Sequence, residues 1–271
     1  MQAADGAGFD PATHAVVLRY HHAWKNRDLD AILALYHPDI EYHDLLQNRV
    51  FRQDELRDYV RASLPQAESG RLEHLDRIRV DGDTAFIQYR LSLKEGGAYF
   101  RSSEAIRVRD NLVWRINEYA TLQRPSGAKG AADPRGPLQK LGLSARQLSR
   151  MAEDLHAFFG QRRPFLDPDC SLPTVAAATG YSRNQLSYLF NQVLGRSFYQ
   201  YLNEARVRHL LSRLEPAPAA ARVDELAFSV GFNSLSSFYR AFREVTGMTP
   251  AAWLRDFSRV SAATTPPSDA V

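Results

Sequence analysis

The chain has 271 residues, of which 44% are hydrophobic and 24% charged, the composition of a soluble globular protein with room for two domains. No apolar run reaches the roughly 20 residues of a membrane span, the N-terminus lacks the features of a signal peptide, and the single cysteine excludes an internal disulfide. We therefore expect a cytoplasmic protein. The formal charge of +3 comes from residues 141–271, which hold 14 Arg, no Lys and 11 acidic residues.

Helical periodicity opens the chain. Apolar residues fall on one face of a predicted helix over 12–26. A second helix is predicted over 29–37, with Asp28 as its N-cap and Pro38 helping to end it. A third amphipathic helix is predicted over 53–64.

The pattern then changes to the alternation typical of strands. Four long strands are predicted, at 72–80, 84–94, 98–109 and 112–122, with turns at Gly82, Gly96-Gly97 and Asp110-Asn111. Helices followed by an antiparallel meander indicate an α+β domain over residues 10–124, with three helices packed on a curved antiparallel sheet.

The next segment, 125–141, is rich in Pro, Gly and Ala and is interpreted as a linker. Residues 142–257 show no strand-like alternation and are expected to form an all-α domain. Three serines stand where N-caps would open helices, namely Ser171, Ser182 and Ser234. The last residues, 258–271, contain two adjacent prolines and are predicted to be disordered.

A helix, a tight turn and a second helix are predicted twice in this all-α domain. The first copy is LPTVAAATGYS (172–182) followed by RNQLSYLFNQVLG (183–195), and the second is VDELAFSVGFNS (223–234) followed by LSSFYRAFREVTG (235–247). Their turn glycines, Gly180 and Gly231, are 51 residues apart and suit a left-handed turn. A connecting helix over 198–214 could hold two recognition helices about 34 Å apart, one turn of DNA.

The segment VGFNSLSSFYRAFREVTGMTP (230–250), with SFYQYLNEARVRHLL (197–211), resembles the AraC/XylS family of transcriptional regulators. The resemblance covers roughly residues 144–257 and departs from the family pattern by one added residue after Pro250. It implies a regulator of the activator type that binds double-stranded promoter DNA and contacts RNA polymerase.

The same resemblance implies which residues bind DNA. The base-reading positions are Arg183, Asn184, Ser187 and Tyr188 in the first motif, and Leu235, Ser236, Ser237 and Arg240 in the second. Arg240 could bind guanine bidentately and Asn184 could read adenine. The candidates for phosphate contacts are Arg196, Arg206, Arg208 and Arg243.

The N-terminal half is similar to the cone-shaped domains of nuclear transport factor two, ketosteroid isomerase and SnoaL-like cyclases. The segments that carry this resemblance are WKNRDLDAILALYHPDIEYHD (24–44), IRVDGDTAFIQYRL (78–91) and IRVRDNLVWRINEY (106–119). It implies a cavity for a small apolar or aromatic effector and a homodimer formed through this domain. The candidate ligand-binding residues are Tyr20, Trp24, Tyr36, His43, Tyr59, Tyr89, Trp114 and Tyr119.

Two alternatives remain for this domain. It could be a catalytic module, with the neighbours His43 and Asp44 as acid or base, or a dimerisation module without a ligand. Adjacent strand residues point to opposite faces, so His43 and Asp44 cannot both face a cavity unless the strand bulges. We expect no enzyme activity, cofactor or metal site, because no histidine spacing supports a metal.

Overall fold

The computed structural model of the chain describes residues 8–64, 72–93, 97–124, 141–213 and 222–255. The chain divides into two compact units, Met1–Ala157 with Gln192–Gly195, and Phe158–Asn191 with Arg196–Val271. The division after Ala157 falls inside a helix, beyond the boundary expected at residue 142, so most of this helix belongs to the first unit. The predicted linker, apart from Leu141, and the predicted tail lie outside the described residues.

The first unit contains helices and strands in the order that the sequence predicts, with two more strands inserted early and the predicted strand 72–80 divided into two short ones. Its elements are α1 Pro11–Asn26, α2 Leu29–Ala34, β1 Tyr36–Asp44, β2 Arg49–Phe51, α3 Gln53–Ser63, β3 Leu72–His74, β4 Arg79–Asp81, β5 Thr84–Ser92, β6 Tyr99–Arg109, β7 Leu112–Gln123 and the start of α4 Ala145–Arg162. Asp28 caps α2 by accepting a hydrogen bond from the Ala31 N–H at 2.9 Å, as predicted.

The seven strands form one sheet in the order β2-β1-β7-β6-β5-β3, with β4 also paired to β5. Neighbouring strands are antiparallel, except that β1 runs parallel to β7. The expected purely antiparallel sheet is therefore wrong in this one pairing. The helices α1 to α3 precede the long antiparallel strands β5 to β7, so the fold class is α+β as predicted.

The second predicted helix is three residues too long, because Tyr36 pairs with Val113 of β7 and begins β1. Pro38 lies within this strand and not at the end of a helix. The register between β1 and β7 shifts between Tyr36 and Glu41. A proline without an N–H fits such an irregularity, where the ladder of hydrogen bonds is already broken.

The second unit is helical in its described residues. It contains the end of α4, a 3₁₀ turn at Pro164–Leu166, α5 Leu172–Thr179, α6 Arg183–Tyr188 continuing as a π turn over Leu189–Val193, α7 Phe198–Arg213, α8 Val223–Ser229, α9 Leu235–Thr246 and a helical segment at 250–255. This agrees with the predicted all-α domain. Of the π turn, Gln192 and Val193 are assigned to the first unit. No helix in the described part of the chain is long and apolar enough to cross a membrane.

Candidate DNA-binding surface and interior site

Both predicted helix-turn-helix pairs form. Gly180 adopts φ 76° and its N–H donates to the Ala176 carbonyl, which ends α5, while Gly231 adopts φ 92° after α8. The second helix of each pair begins with a serine N-cap: Ser182 accepts from the Gln185 N–H at 3.2 Å, and Ser234 from the Ser237 N–H at 3.5 Å. The turn glycines and serine caps predicted from the sequence are confirmed.

The second pair carries a reading helix with one apolar and one exposed side. Phe238, Ala241 and Phe242 of α9 are buried against residues of α7 and α8. The positions predicted to read bases, Leu235, Ser236, Ser237 and Arg240, lie on the other side, all exposed except the half-buried Ser237. Arg243, a phosphate candidate, is exposed as well. The amphipathic face of α9 thus leaves a row of polar groups and an arginine free for a groove.

The first pair presents a shorter reading surface than the sequence predicts. Arg183 and Asn184 are exposed at the start of α6 and Ser187 is half-buried, but Tyr188 is only 6% exposed. The helix widens into a π turn at Leu189, and Tyr188 lies buried beside it. The prediction that Tyr188 reads a base is therefore wrong, since its ring is inside the protein.

Arg206, predicted as a phosphate contact, is a structural residue. Its guanidinium donates to the carbonyls of Phe165 at 2.7 Å and Asp167 at 2.9 Å, and its carbon lies 5.3 Å from the centre of the Phe232 ring. The residue is 5% exposed, and this burial lowers the pKa of the guanidinium. All of these groups belong to the second unit, so Arg206 joins the 3₁₀ turn to α7 and to the second pair.

Arg196 also departs from its predicted role. It forms an ion pair with Glu204 of α7 and packs 4.7 Å from the centre of the Tyr201 ring. Glu204 also pairs with Arg208 at 2.6 Å, but the Arg208 side chain is 69% exposed and remains accessible. Arg196 therefore serves the packing of α7, whereas Arg208 stays available for a phosphate.

The interior of the first unit brings five of the predicted ligand residues together. All five are buried: Tyr20, Trp24, Tyr36, Tyr59 and Tyr89. The hydroxyls of Tyr20 and Tyr36 are 3.3 Å apart, and the rings of Tyr20 and Trp24 meet edge to face at 6.3 Å. The aromatic character predicted for this interior is present.

Three predicted ligand residues lie elsewhere, because strand residues alternate between faces. Tyr119 is 55% exposed on the outer face of β7. Trp114 is covered by the guanidinium groups of Arg107, Arg109 and Arg115 at about 5 Å from its ring centre and does not face the interior. His43 is half-exposed 3.4 Å from Glu41, while its neighbour Asp44 points inward.

The interior holds the carboxyl group of Asp44 and two more that are not predicted from the sequence, those of Glu104 and Glu118, all at most 2% exposed. Glu118 accepts hydrogen bonds from the hydroxyls of Tyr42 at 2.6 Å and Ser102 at 3.0 Å. The signal was available, because Glu104 and Glu118 occupy inward positions in the alternation of β6 and β7, in phase with Ile106 and Ile116. The interior of the first unit is therefore more polar than the apolar interior that the resemblance implies.

Burial raises the pKa of two of these carboxyl groups, Asp44 and Glu104. It raises the pKa of Asp44 to about 6, with a further contribution from the negative charge of Glu118. Burial likewise raises the pKa of Glu104, while the positive charge of Arg146 acts in the opposite direction. The interior is an acidic environment that favours either a proton or a cation.

The cation is supplied by α4. Arg146 is 5% exposed, and its Nη2 lies 2.5 Å from Glu104 Oε1 and 2.5 Å from the Tyr89 hydroxyl. Its guanidinium carbon lies 4.2 Å from the centre of the Trp24 ring. One turn further along α4, Arg150 donates to the Arg61 carbonyl at 2.7 Å. The start of α4 thus closes the interior of the first unit with a buried arginine.

A cavity of about 150 Å³ remains beside the Arg146 side chain. Its walls combine apolar, hydroxyl and charged side chains: Trp24, Lys25, Arg27, Ser63, Leu72, Leu91, Arg146, Ser149, Arg150 and Glu153. A cavity of this volume accommodates a molecule about the size of one benzene ring. Within the described ranges no group of His, Cys, Asp and Glu could hold a metal ion.

Two helix-turn-helix pairs in a helical unit, preceded by an α+β unit with an enclosed interior, define a two-domain protein of the double helix-turn-helix class. Two family models match it: a helix-turn-helix domain over residues 175–256 and a SnoaL-like domain over residues 17–116. The C-terminal part of the chain is thus similar to helix-turn-helix domains and the N-terminal part to SnoaL-like domains, as both resemblances implied.

Curated relatives share the C-terminal part. An uncharacterized HTH-type transcriptional regulator of Staphylococcus aureus strain COL is 32% identical over 88 residues, which is 32% of this chain and 12% of that one. The right origin-binding protein of Escherichia coli K12 is 34% identical over 91 residues, which is 33% of this chain and 30% of that one. The chain therefore spans only about an eighth of the length of the staphylococcal regulators it matches.

Solved structures resemble the N-terminal part. An LEH-like epoxide hydrolase of M. tuberculosis is 18% identical, covering 41% of this chain and 83% of that one with a TM-score of 0.34. An NTF2-like protein of unknown function from Mesorhizobium loti is 17% identical, covering 41% and 91% with a TM-score of 0.36.

Proposed function

We propose that this protein is a transcriptional regulator that binds double-stranded promoter DNA through α6 and α9. The observation that carries the proposal is the second helix-turn-helix pair, in which a glycine turn and a serine cap present Arg240 and its polar neighbours from an anchored helix. A rigid helix with exposed polar residues near its N-terminus is what the major groove accepts. The names of the curated relatives as transcriptional regulators agree with this role.

We further propose that the N-terminal unit controls this activity by binding a small molecule in its interior. The cavity beside Arg146, which is lined by Trp24 together with basic and hydroxyl side chains, supports a binding role. A catalytic role is less well supported, because Glu104 is paired with Arg146 and His43 faces away from the interior. Loss of a measured turnover on Asp44→Asn would favour the catalytic alternative.

Homodimerisation through the N-terminal unit is part of the same proposal. The outer face of the sheet exposes two aromatic side chains, Phe86 at 48% and Tyr119 at 55%. Aromatic residues are enriched at protein interfaces, and a dimer would bring two copies of the DNA-binding unit to one promoter. Contact with RNA polymerase and an activating effect on transcription complete the proposed role.

The test uses the full chain and its bound sites mapped across a genome, followed by affinity measurements on one site and its single-base variants. Arg240→Ala should lose about 1–3 kcal/mol of preference at one base pair, because a bidentate contact to guanine is removed. Arg19→Ala, at an exposed arginine on α1, is the charge-matched control and should leave the preference intact. Equal loss on every sequence would make Arg240 a phosphate contact, and absence of any sequence preference in the unchanged protein would refute the function.

A further inference from the structure

Arg146 lies in a site with the chemistry of a guanidinium receptor. A carboxylate oxygen of Glu104 and the Tyr89 hydroxyl lie 2.5 Å from one terminal nitrogen. The guanidinium carbon lies over the Trp24 ring, 4.2 Å from its centre. A planar cation stacked on an aromatic ring and paired with a carboxylate is how proteins recognise guanidinium groups.

The fit of Arg146 in this site is incomplete. Two buried atoms lack a hydrogen-bond partner among the described residues, Glu104 Oε2 and the Nε of Arg146 itself. That Nε is 3.9 Å from Glu118 Oε1, beyond hydrogen-bond distance. A guanidinium attached to α4 engages only one oxygen of Glu104, whereas a free molecule could turn to form the two parallel bonds of a bidentate pair. Orphaned buried polar atoms are costly, so this difference favours a free ligand.

The same cavity presents groups suited to the remainder of such a ligand. Trp24 Nε1 is a buried donor without an acceptor among the described residues. Lys25 and Arg27 line the cavity and bring two positive charges, whereas Arg150 of the same lining is already paired with Asp154 at 3.4 Å. An acceptor with negative charge, such as a carboxylate, would satisfy the Trp24 N–H and balance these cations.

We propose that the interior of the first unit is a binding site for a small guanidino or amidino acid, and that the Arg146 side chain occupies this site when the ligand is absent. The planar cationic head binds Glu104 and Tyr89 and stacks on Trp24, and the carboxylate end lies in the cavity of about 150 Å³ near Lys25 and Arg27. The ligand must displace Arg146, and with it the hold of α4 on this unit. This last consequence rests on the proposed control of DNA binding by a small molecule.

The experiment removes the guanidinium of Arg146 by substitution and supplies a guanidinium from solution. Full-length Arg146→Ala is titrated with 3-guanidinopropionate, ethylguanidinium, ethylammonium and propionate, and the thermal midpoint and heat of binding are measured. At about ten times its dissociation constant, a guanidino probe should raise the midpoint by about 3–6 °C. We expect 3-guanidinopropionate to bind more tightly than ethylguanidinium, and the two probes without a guanidinium to have no effect. The unchanged protein should bind at least about tenfold more weakly, because its own arginine competes.

Three variants make the result specific. Arg146→Met refills the space without charge and should not respond, and Arg19→Ala, at an exposed arginine of α1 outside the cavity lining, should bind like the unchanged protein. Adding Glu104→Gln to Arg146→Ala should abolish binding of both guanidino probes. If Arg146→Ala does not fold alone, it is refolded with and without 3-guanidinopropionate, and rescue by the probe is the expected result.

Two outcomes overturn the proposal: no response of Arg146→Ala to any guanidino probe, or an equal response of Arg146→Met. If ethylguanidinium bound more tightly than 3-guanidinopropionate, the ligand would be a guanidino compound without a carboxylate. Promoter affinity of the unchanged protein, measured in parallel, distinguishes ligand binding from control of DNA binding by the ligand. Ligand binding without any change in promoter affinity leaves the site standing and rejects its control of DNA binding.

Discussion

Arg206 and Arg243 are two arginines of the same unit whose roles the structure separates. Arg206 is buried and donates to the carbonyls of Phe165 and Asp167, while Arg243 is exposed on α9. We expect Arg206→Met to lower the free energy of unfolding by about 2–4 kcal/mol, because it leaves buried carbonyl groups without donors. Urea denaturation followed by circular dichroism measures this loss.

Arg243→Ala is the matched comparison. It should change the free energy of unfolding by less than about 0.5 kcal/mol. It should also lower the slope of log affinity against log salt concentration by about 1, because one phosphate contact is lost. If Arg206→Met instead kept its stability and reduced the salt dependence, the phosphate role implied by the sequence would be restored. The sequence alone could not separate the two, because the partners of Arg206 are main-chain carbonyls in a 3₁₀ turn some forty residues earlier.

The two helix-turn-helix elements each have a turn glycine, and the surroundings of these two glycines differ. Gly180 at φ 76° has open space where a Cβ would be, whereas a Cβ on Gly231, at φ 92°, would lie 2.5 Å from the Phe165 carbonyl oxygen. Gly180→Ala should therefore lower the free energy of unfolding by about 1–2 kcal/mol, the strain of a left-handed residue alone. Gly231→Ala adds a steric clash with the 3₁₀ turn and should cost distinctly more.

Chemical denaturation of the two variants side by side measures the difference. Equal costs would mean that the backbone near Phe165 moves aside freely, and that Gly231 is needed only for its conformation. The same comparison in DNA binding is informative, because a shift of the turn before α9 displaces the helix that carries Arg240.

At the level of elements, the sequence predicts most of the fold for identifiable reasons. The serine caps, turn glycines and apolar faces of α5 to α9 are local signals, so those helices are found with small errors at their ends. The start of β1 is predicted as helix from the sequence. Its parallel partner β7 lies some seventy residues later in the chain, so the local sequence pattern does not indicate the pairing. The acidic interior follows from alternation, since Glu104 and Glu118 are in phase with buried Ile residues, but the arginine that pairs with them comes from another element.

Taken as a whole molecule, the chain does not divide where its composition changes. The first compact unit includes the start of α4, as far as Ala157. Arg146 enters its interior, and the Ser149 hydroxyl lies 3.5 Å from the Ser92 carbonyl. A composition rich in Pro, Gly and Ala predicts a linker. It does not predict the contacts of the helix that follows, because Arg146 pairs with Glu104, a residue of β6 about forty positions earlier in the chain.

A fragment of residues 1–157 should therefore be a more stable domain than one of residues 1–124, although the shorter fragment contains every strand. Without Arg146, Glu104 is a buried acid with no cation beside it, so its pKa should rise further above the unfolded value of 4.5. A raised pKa in the folded state means that stability is greatest at low pH and is lost as the pH rises through the folded pKa. The shorter fragment should lose more stability than the longer one as the pH is raised above about 4.5 toward neutrality.

Thermal denaturation of both fragments across this pH range is the measurement. Arg146→Met in the longer fragment is the control, because it keeps the packing of α4 and removes only the charge. It should reproduce the pH dependence of the short fragment while retaining part of the added stability. If the two fragments had the same midpoint at every pH, α4 would contribute nothing to the first unit, and the buried ion pair would not link the two halves of the sequence.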